Sequence, residues 1–309
     1  MRIIAITNQK GGVGKTTTVV NLAAALAEQD KRIILMDLDP QAHLTTYLGV
    51  DSTGVEYSSY HVLTQAAPLS QALLPVRERI RLLPAQLDLA AAEQELVAKV
   101  GRETILRDAI RDYEEDYDYI FFDCPPSLGL LTLNALSSAS EVFIPLQPHF
   151  LSLQGLSQLL ESLLLVHKRI NPDLQVTGLL FCMYDSRTTL SSEIINDIKM
   201  FFSQEQPPDC PWSHIKLFET RIRGNIKLAE SPSYGKTILE YAALCHGAED
   251  YLALAAEVEA MVDTGSAELS EETAEQTENL TAQAVSGEKI EEVETYPEAM
   301  PTDVTDDII

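Results

Sequence analysis

Three short stretches carry the residues with chemistry to offer. The first is Lys10-Gly11-Gly12-Val13-Gly14-Lys15-Thr16-Thr17. Glycines at this density let backbone N–H groups turn inward around a polyphosphate, and a helix starting here adds the partial positive charge of its N-terminus. Lys15 then reaches the β- and γ-phosphates and the Thr16 hydroxyl ligates Mg²⁺. The second stretch is Asp37-Leu38-Asp39-Pro40-Gln41, and the third is Asp123-Cys124-Pro125-Pro126. Each opens with a carboxylate at the end of an apolar run. Asp123 is placed to hold Mg²⁺, directly or through water. Asp37 and Asp39 stand where ligands bind in open parallel sheets. They are also suited to capping the next helix, with Pro40 in its first turn, and the two roles are compatible. The combined chemistry is nucleotide polyphosphate binding with a divalent cation.

These residues need strands to present them. Ile3-Ile4-Ala5-Ile6 precedes the glycine loop, Ile33-Ile34-Leu35-Met36 precedes Asp37, and Tyr119-Ile120-Phe121-Phe122 precedes Asp123. Each reads as a short buried strand. Further strands are expected at Arg81–Ala85, Glu141–Leu146 and Leu174–Phe181. Helical patterns run from Thr17 to Ala27, through Leu87–Val97 and Thr104–Ile110, from Leu151 to Ile170, and from Leu244 to Val262. Residues 41–79 read as helices and loops. Strands alternating with helices predict an α/β fold, a doubly wound and mostly parallel sheet with helices on both faces.

Composition narrows the setting. The chain has 309 residues and 45% hydrophobic content, enough for one large domain plus extras. No apolar run approaches the ~20 residues of a membrane span, and one Arg followed directly by a strand is no secretory signal. Cys124, Cys182, Cys210 and Cys245 lack C-x-x-C spacing and suit a reducing cytosol. The net charge is −25. Residues 263–309 hold 14 acidic residues against one lysine, more than half of that excess. Rich in Glu, Thr, Ala and Ser, this segment is expected to be a disordered acidic tail after a domain spanning residues 1–262. It is a solvated segment, or one that shields basic surface or docks a partner.

The motifs, taken in order, resemble one family. The first glycine of the generic loop G-x-x-x-x-G-K-[ST] falls at Gln9, and an additional lysine, Lys10, follows it. This is similar to the deviant phosphate loop of the ParA/MinD family of ATPases. The D-x-D-P-Q stretch at Asp37–Gln41 and D-C-P-P-S-L-G-L-L-T-L-N-A-L from Asp123 resemble the ParA/Soj type of partition ATPase. So do Met183–Leu190, similar to the "LDART" segment, and Glu219–Lys236. The resemblance spans residues 1 to about 262. It implies ATP and Mg²⁺ as cofactors, with Lys10, Gly11, Gly12, Val13, Gly14, Lys15, Thr16 and Thr17 around the phosphates and Asn225 at the adenine. It implies that Asp39 orients the attacking water, that Asp37 lies near the metal and lysines, and that Lys10 reaches a partner's nucleotide in an ATP-driven homodimer. It further implies non-specific DNA binding through Arg187 and Lys227, a ParB-like activating partner, and a cytoplasmic, nucleoid-associated protein.

Three departures stand in the last motif. Arg223 replaces proline, Gly224 replaces arginine, and Ser231 replaces alanine. The second removes a positive charge from the expected DNA face, for which Arg221 and Arg223 are candidate replacements. Gln154 stands where the family often has Glu and is left out of the site. Other readings share the fold. A MinD-like membrane cycler ends in a basic or amphipathic helix, unlike the acidic end here. A nitrogenase-reductase-like carrier needs cluster-bridging cysteines. A ParA-like positioner of a protein cargo matches the same residues.

Overall fold

The computed structural model describes residues 1–204 and 209–261; the expected acidic tail lies outside them. Residues 1–259 form one compact unit. Its centre is β1 (Arg2–Ile6), flanked by β5 (Tyr119–Asp123) and β6 (Glu141–Leu146). Outward from β5 come β2 (Ile33–Asp37), β4 (Ile80–Leu83) and β3 (Leu74–Arg77). Outward from β6 come β7 (Gln175–Tyr184) and β8 (Lys216–Leu217), with β9 (Ile222–Arg223) pairing the far end of β7. The pairings are parallel apart from β3–β4.

The connections are helices on both faces. On one side lie α1 (Lys15–Ala27) and α12 (residues 246–261). On the other lie α3 (Ser59–Leu63), α4 (Leu69–Ala72), α5 (Leu89–Leu96), α6 (Ile105–Arg111), α7 (Leu130–Ser138), α8 (Ser152–Arg169) and α9 (Thr189–Ser203). Short helices α2 (His43–Tyr47), α10 (Ile226–Glu230) and α11 (Ile238–Ala242) pack near the upper end of α1. The period of two in each strand explains the two cores. Ala5, Ile34, Met36, Ile120 and Phe122 share one cluster with Val142, Leu131, Leu156 and Leu160. Ile4, Ile6, Leu35 and Phe121 alternate with them and are fully buried on the other face. Burial on both faces is why these strands read as continuous apolar runs.

The expected architecture is present, with two local corrections. Leu74–Arg77 lies within the stretch expected to hold only helices and loops, yet it forms an antiparallel edge strand on β4. Pro75 obscures it, because proline is tolerated in a strand only at an edge or bulge, and this strand has both. The last helix starts at residue 246, after a turn, rather than at Leu244.

Candidate functional site

The order β5-β1-β6 makes β1 the point from which connections wind outward in both directions, and a doubly wound sheet opens a crevice there. Ile6 pairs with Asp123, and Asp37 pairs with Asp123 from the other side. Three adjacent strand ends thus deliver the glycine loop, Asp123 and Asp37 to one place.

The loop is built for an anion. Gly12 and Gly14 have φ of 71° and 96°, a left-handed backbone that a side chain would strain. Gly14 is the N-cap of α1 and no side chain caps that helix, so its first N–H groups are free for a ligand. A Cβ placed on Gly11 or Gly12 would meet no atom within 4 Å, which leaves an open cradle. The loop's base is braced by Asn8, which sequence reasoning missed. Its Nδ2 donates to the Pro145 carbonyl at 2.8 Å and its Oδ1 accepts from the Lys10 N–H at 3.0 Å. Val13 is buried beneath, and Thr17 continues into the first turn of α1.

Lys15 is only 8% exposed and its Nζ donates to the Lys10 carbonyl at 3.2 Å. Burial lowers its pKa, opposed by the nearby Asp123 and Asp39 carboxylates. Thr16 Oγ1 donates to Asp123 Oδ2 at 2.6 Å. The other Asp123 oxygen is buried without a hydrogen-bond partner. Such an orphan is costly and marks a place for a cation or its bound water. Desolvation holds the Asp123 carboxyl well above the usual range, aggravated by Asp37. Asp37 is pushed up to about 7 by burial, although Thr45 donates to its Oδ2 through N–H at 2.8 Å and Oγ1 at 2.6 Å. Thr45 is a second residue missed from sequence. Among the described residues no three or more His, Cys, Asp or Glu side chains gather into a metal cluster. Thr16 and Asp123 instead fit a magnesium ion that takes its remaining ligands from phosphates and water.

Asp39 is partly exposed at the mouth of the crevice. Its N–H donates to Asp37 Oδ1 at 3.2 Å, and its own Oδ1 accepts from the Gln41 N–H at 3.0 Å. One carboxylate oxygen therefore shapes the turn. Lys10 folds back within this protomer: its Nζ donates to the Leu151 carbonyl at 2.5 Å, and a Cβ on Gly155 would lie 3.2 Å from its Cε.

A second region adjoins the loop. A Cβ on Gly14 would touch Cys182 at 3.5 Å, and the residues that follow, Met183 to Arg187, line a cavity of about 650 Å³ with Arg223, Asn225 and His246. Asn225 is the N-cap of α10, its Oδ1 accepting from the Lys227 N–H at 2.9 Å, which leaves its amide NH₂ for a ligand. Arg187 is 87% exposed, but its guanidinium is gripped by Asp185 through bonds of 2.9 and 2.8 Å. The arginine holds the Asp185 carboxyl down at about 2. Arg223 is tied to Asp250 at 2.6 Å and Glu249 at 3.1 Å. Lys227 pairs with Glu230 at 2.8 Å. Arg221 lies 4.7 Å over the Tyr184 ring. Arg187 and Arg223 thus share the cavity of Asn225, Lys227 is outside its lining, and each of the three has an acidic partner.

A family model described as an AAA domain matches residues 1–176. The sporulation initiation inhibitor protein Soj of Bacillus subtilis is 45% identical over 260 residues, 84% of this chain and 98% of that protein. The chain belongs to the Soj/ParA family. The chromosome-partitioning ATPase Soj of Thermus thermophilus is likewise 45% identical, over 85% of this Soj/ParA chain and 97% of its own. Among solved structures, cobyrinic acid a,c-diamide synthase from Mycobacterium smegmatis with bound ADP and magnesium superimposes with a TM-score of 0.72 at 37% identity. It covers 86% of this chain and 96% of its own length, under a name that denotes a different reaction.

Proposed function

We propose that this Soj/ParA chain is a Mg²⁺-dependent ATPase that uses ATP to form a homodimer, binds DNA without sequence preference and acts in chromosome or plasmid partition. The observation that carries the reading is the contact of Thr16 with buried Asp123 and its orphan carboxylate oxygen, set beside Lys15 at an uncapped glycine loop. ATP lays its phosphates in the cradle of residues 10–17, and its base enters the cavity beside Asn225. Thr16 and Asp123, with Asp37 behind them, would hold Mg²⁺, which would supply positive charge against the phosphates. Asp39 orients a water for in-line attack on the γ-phosphorus. The bond to the bridging oxygen breaks as the new P–O bond forms, giving ADP and phosphate. Lys15 and the loop N–H groups stabilise the charge that builds on the leaving oxygen.

Lys10 is surplus to a single site. Released from Leu151, it is long enough to serve a second nucleotide across a homodimer. The dimer brings two copies of the Arg187, Arg223 and Lys227 surface to one duplex, so that weak patches add. A ParB-like protein is the activator we expect, and nucleoid-bound cytoplasmic protein is the corresponding location. Residues 1–262 are read as the ATPase domain. A stable membrane complex is not expected. Among the described residues no helix is long and apolar enough to cross a membrane, and the acidic terminal residues are repelled by anionic lipid. Steady phosphate release from ATP, dependent on Mg²⁺ and abolished in Asp39→Ala, tests the reading; undiminished turnover in that variant removes Asp39 from its role.

A further inference from the structure

Helix α2 follows the Asp39 loop directly, and at five residues it is too short to hold itself in place. Its position must come from what grips it. At its centre Thr45 bonds Asp37. At its last residue Tyr47 enters a buried polar chain. Asn21 of α1 donates from Nδ2 to the Thr17 carbonyl at 2.8 Å and to Tyr47 Oη at 2.9 Å, while its Oδ1 accepts from the Ile238 N–H at 2.7 Å. Tyr47 Oη, having accepted from Asn21, has its own proton for Ser231 Oγ, 2.9 Å away. Asn21 and Ser231 are fully buried. The backbones close in beside this chain. A Cβ on Gly235 would lie 2.9 Å from Gly49 Cα. From β3, Arg77 donates to the Gly235 carbonyl at 2.9 Å and forks onto Glu240.

Ser231 is one of the three departures, standing where the partition motif has alanine. Its hydroxyl therefore supplies a contact that the motif's alanine cannot make. We propose that Tyr47 and Ser231 are positioning residues for Asp39. Their hydroxyl contact locks α2 onto the Asn225–Lys236 segment, so the loop with the water-orienting carboxylate and the segment beside the base cavity move as one body. The catalytic half of this inference rests on the role given to Asp39 above; the mechanical half does not.

The test uses the full chain, with Ser231→Ala and Tyr47→Phe each compared with the unmodified protein. Amide hydrogen exchange without nucleotide reads the lock. Residues 38–49 should exchange about tenfold faster in either variant, the scale of one net hydrogen bond, while β1 and β5 stay unchanged. ATP turnover reads the positioning: kcat should fall about tenfold or more with KM for ATP within about twofold, because a small misplacement of the orienting group is costly. A variant with a lower Tm but unchanged exchange in 38–49 and unchanged kcat would show a purely structural contact and overturn the proposal. Accelerated exchange with unchanged kcat overturns the catalytic half. If the unmodified protein shows no Mg²⁺-dependent turnover, the ATPase reading fails instead, and unchanged exchange in the variants would still overturn the lock.

Discussion

Thr45→Val removes one hydroxyl from beneath the site and leaves nearly the same shape. That hydroxyl donates to Asp37 Oδ2 at 2.6 Å and accepts from the Ala85 N–H at 2.9 Å. Both partners are buried. A lost bond to a carboxylate is worth about 1.5–3 kcal/mol, and an orphaned buried N–H costs about 1–3 kcal/mol. The extra apolar methyl in valine offsets little of this, so a loss of roughly 3–5 kcal/mol is expected. For a domain of this size each kcal/mol moves Tm by about 2–4 °C, which gives a fall of roughly 6–20 °C. Scanning calorimetry of the nucleotide-free protein is the assay. Thr45→Ser is the control, since it keeps the hydroxyl and loses one methyl group, for about 1 kcal/mol. A Thr45→Val protein melting within about 2 °C of the unmodified chain, or one indistinguishable from Thr45→Ser, would refute the assignment of Thr45 as the principal support of Asp37.

Lys15→Ala should weaken ATP·Mg²⁺ binding at least a hundredfold by calorimetry, since the phosphates lose their buried cation; an affinity within threefold would sink that role. Asp39→Ala should keep ATP affinity and dimerisation while phosphate release drops to background, and a monomeric, active variant would contradict it. Asp185, held down by Arg187, should titrate at about 2 by carboxyl NMR and move up toward the ordinary 3.8 in Arg187→Ala. The sign is that of a lowered carboxylate: its contribution is present above the ordinary value and lost as pH falls through about 2. A midpoint unmoved by the substitution would show that the fork is not populated in solution.

Much of the site was legible because it is local. The glycine loop, Asp37, Asp39 and Asp123 each follow their own apolar strand within a few residues, and alternation of strand and helix is a short-range pattern. The supports of the site were not legible. Asn8, Tyr47 and Ser231 act through partners far away in the chain, as Tyr47 does across 184 residues and Asn21 across 217, while Thr45 reaches back eight residues to Asp37 from another element. No periodicity encodes such pairs. The neutralised state of the basic candidates was half legible: Asp185 lies two residues before Arg187 and Glu230 three after Lys227, a helical spacing. Asp250, which claims Arg223 from 27 residues away, could be found only in the folded chain. The placement of Lys10 on Leu151 belongs to the same class, at a sequence separation of 141.

If ATP turns this chain into a dimer through Lys10, sedimentation velocity will resolve the two states. With ATP·Mg²⁺ the Asp39→Ala protein, which should not hydrolyse its ligand, is predicted to sediment as a dimer. With ADP it should remain a monomer, and adding Lys10→Ala should leave it monomeric in ATP although nucleotide still binds. A monomer at saturating ATP, or a dimer that forms equally well without Lys10, would contradict a Lys10-bridged dimer.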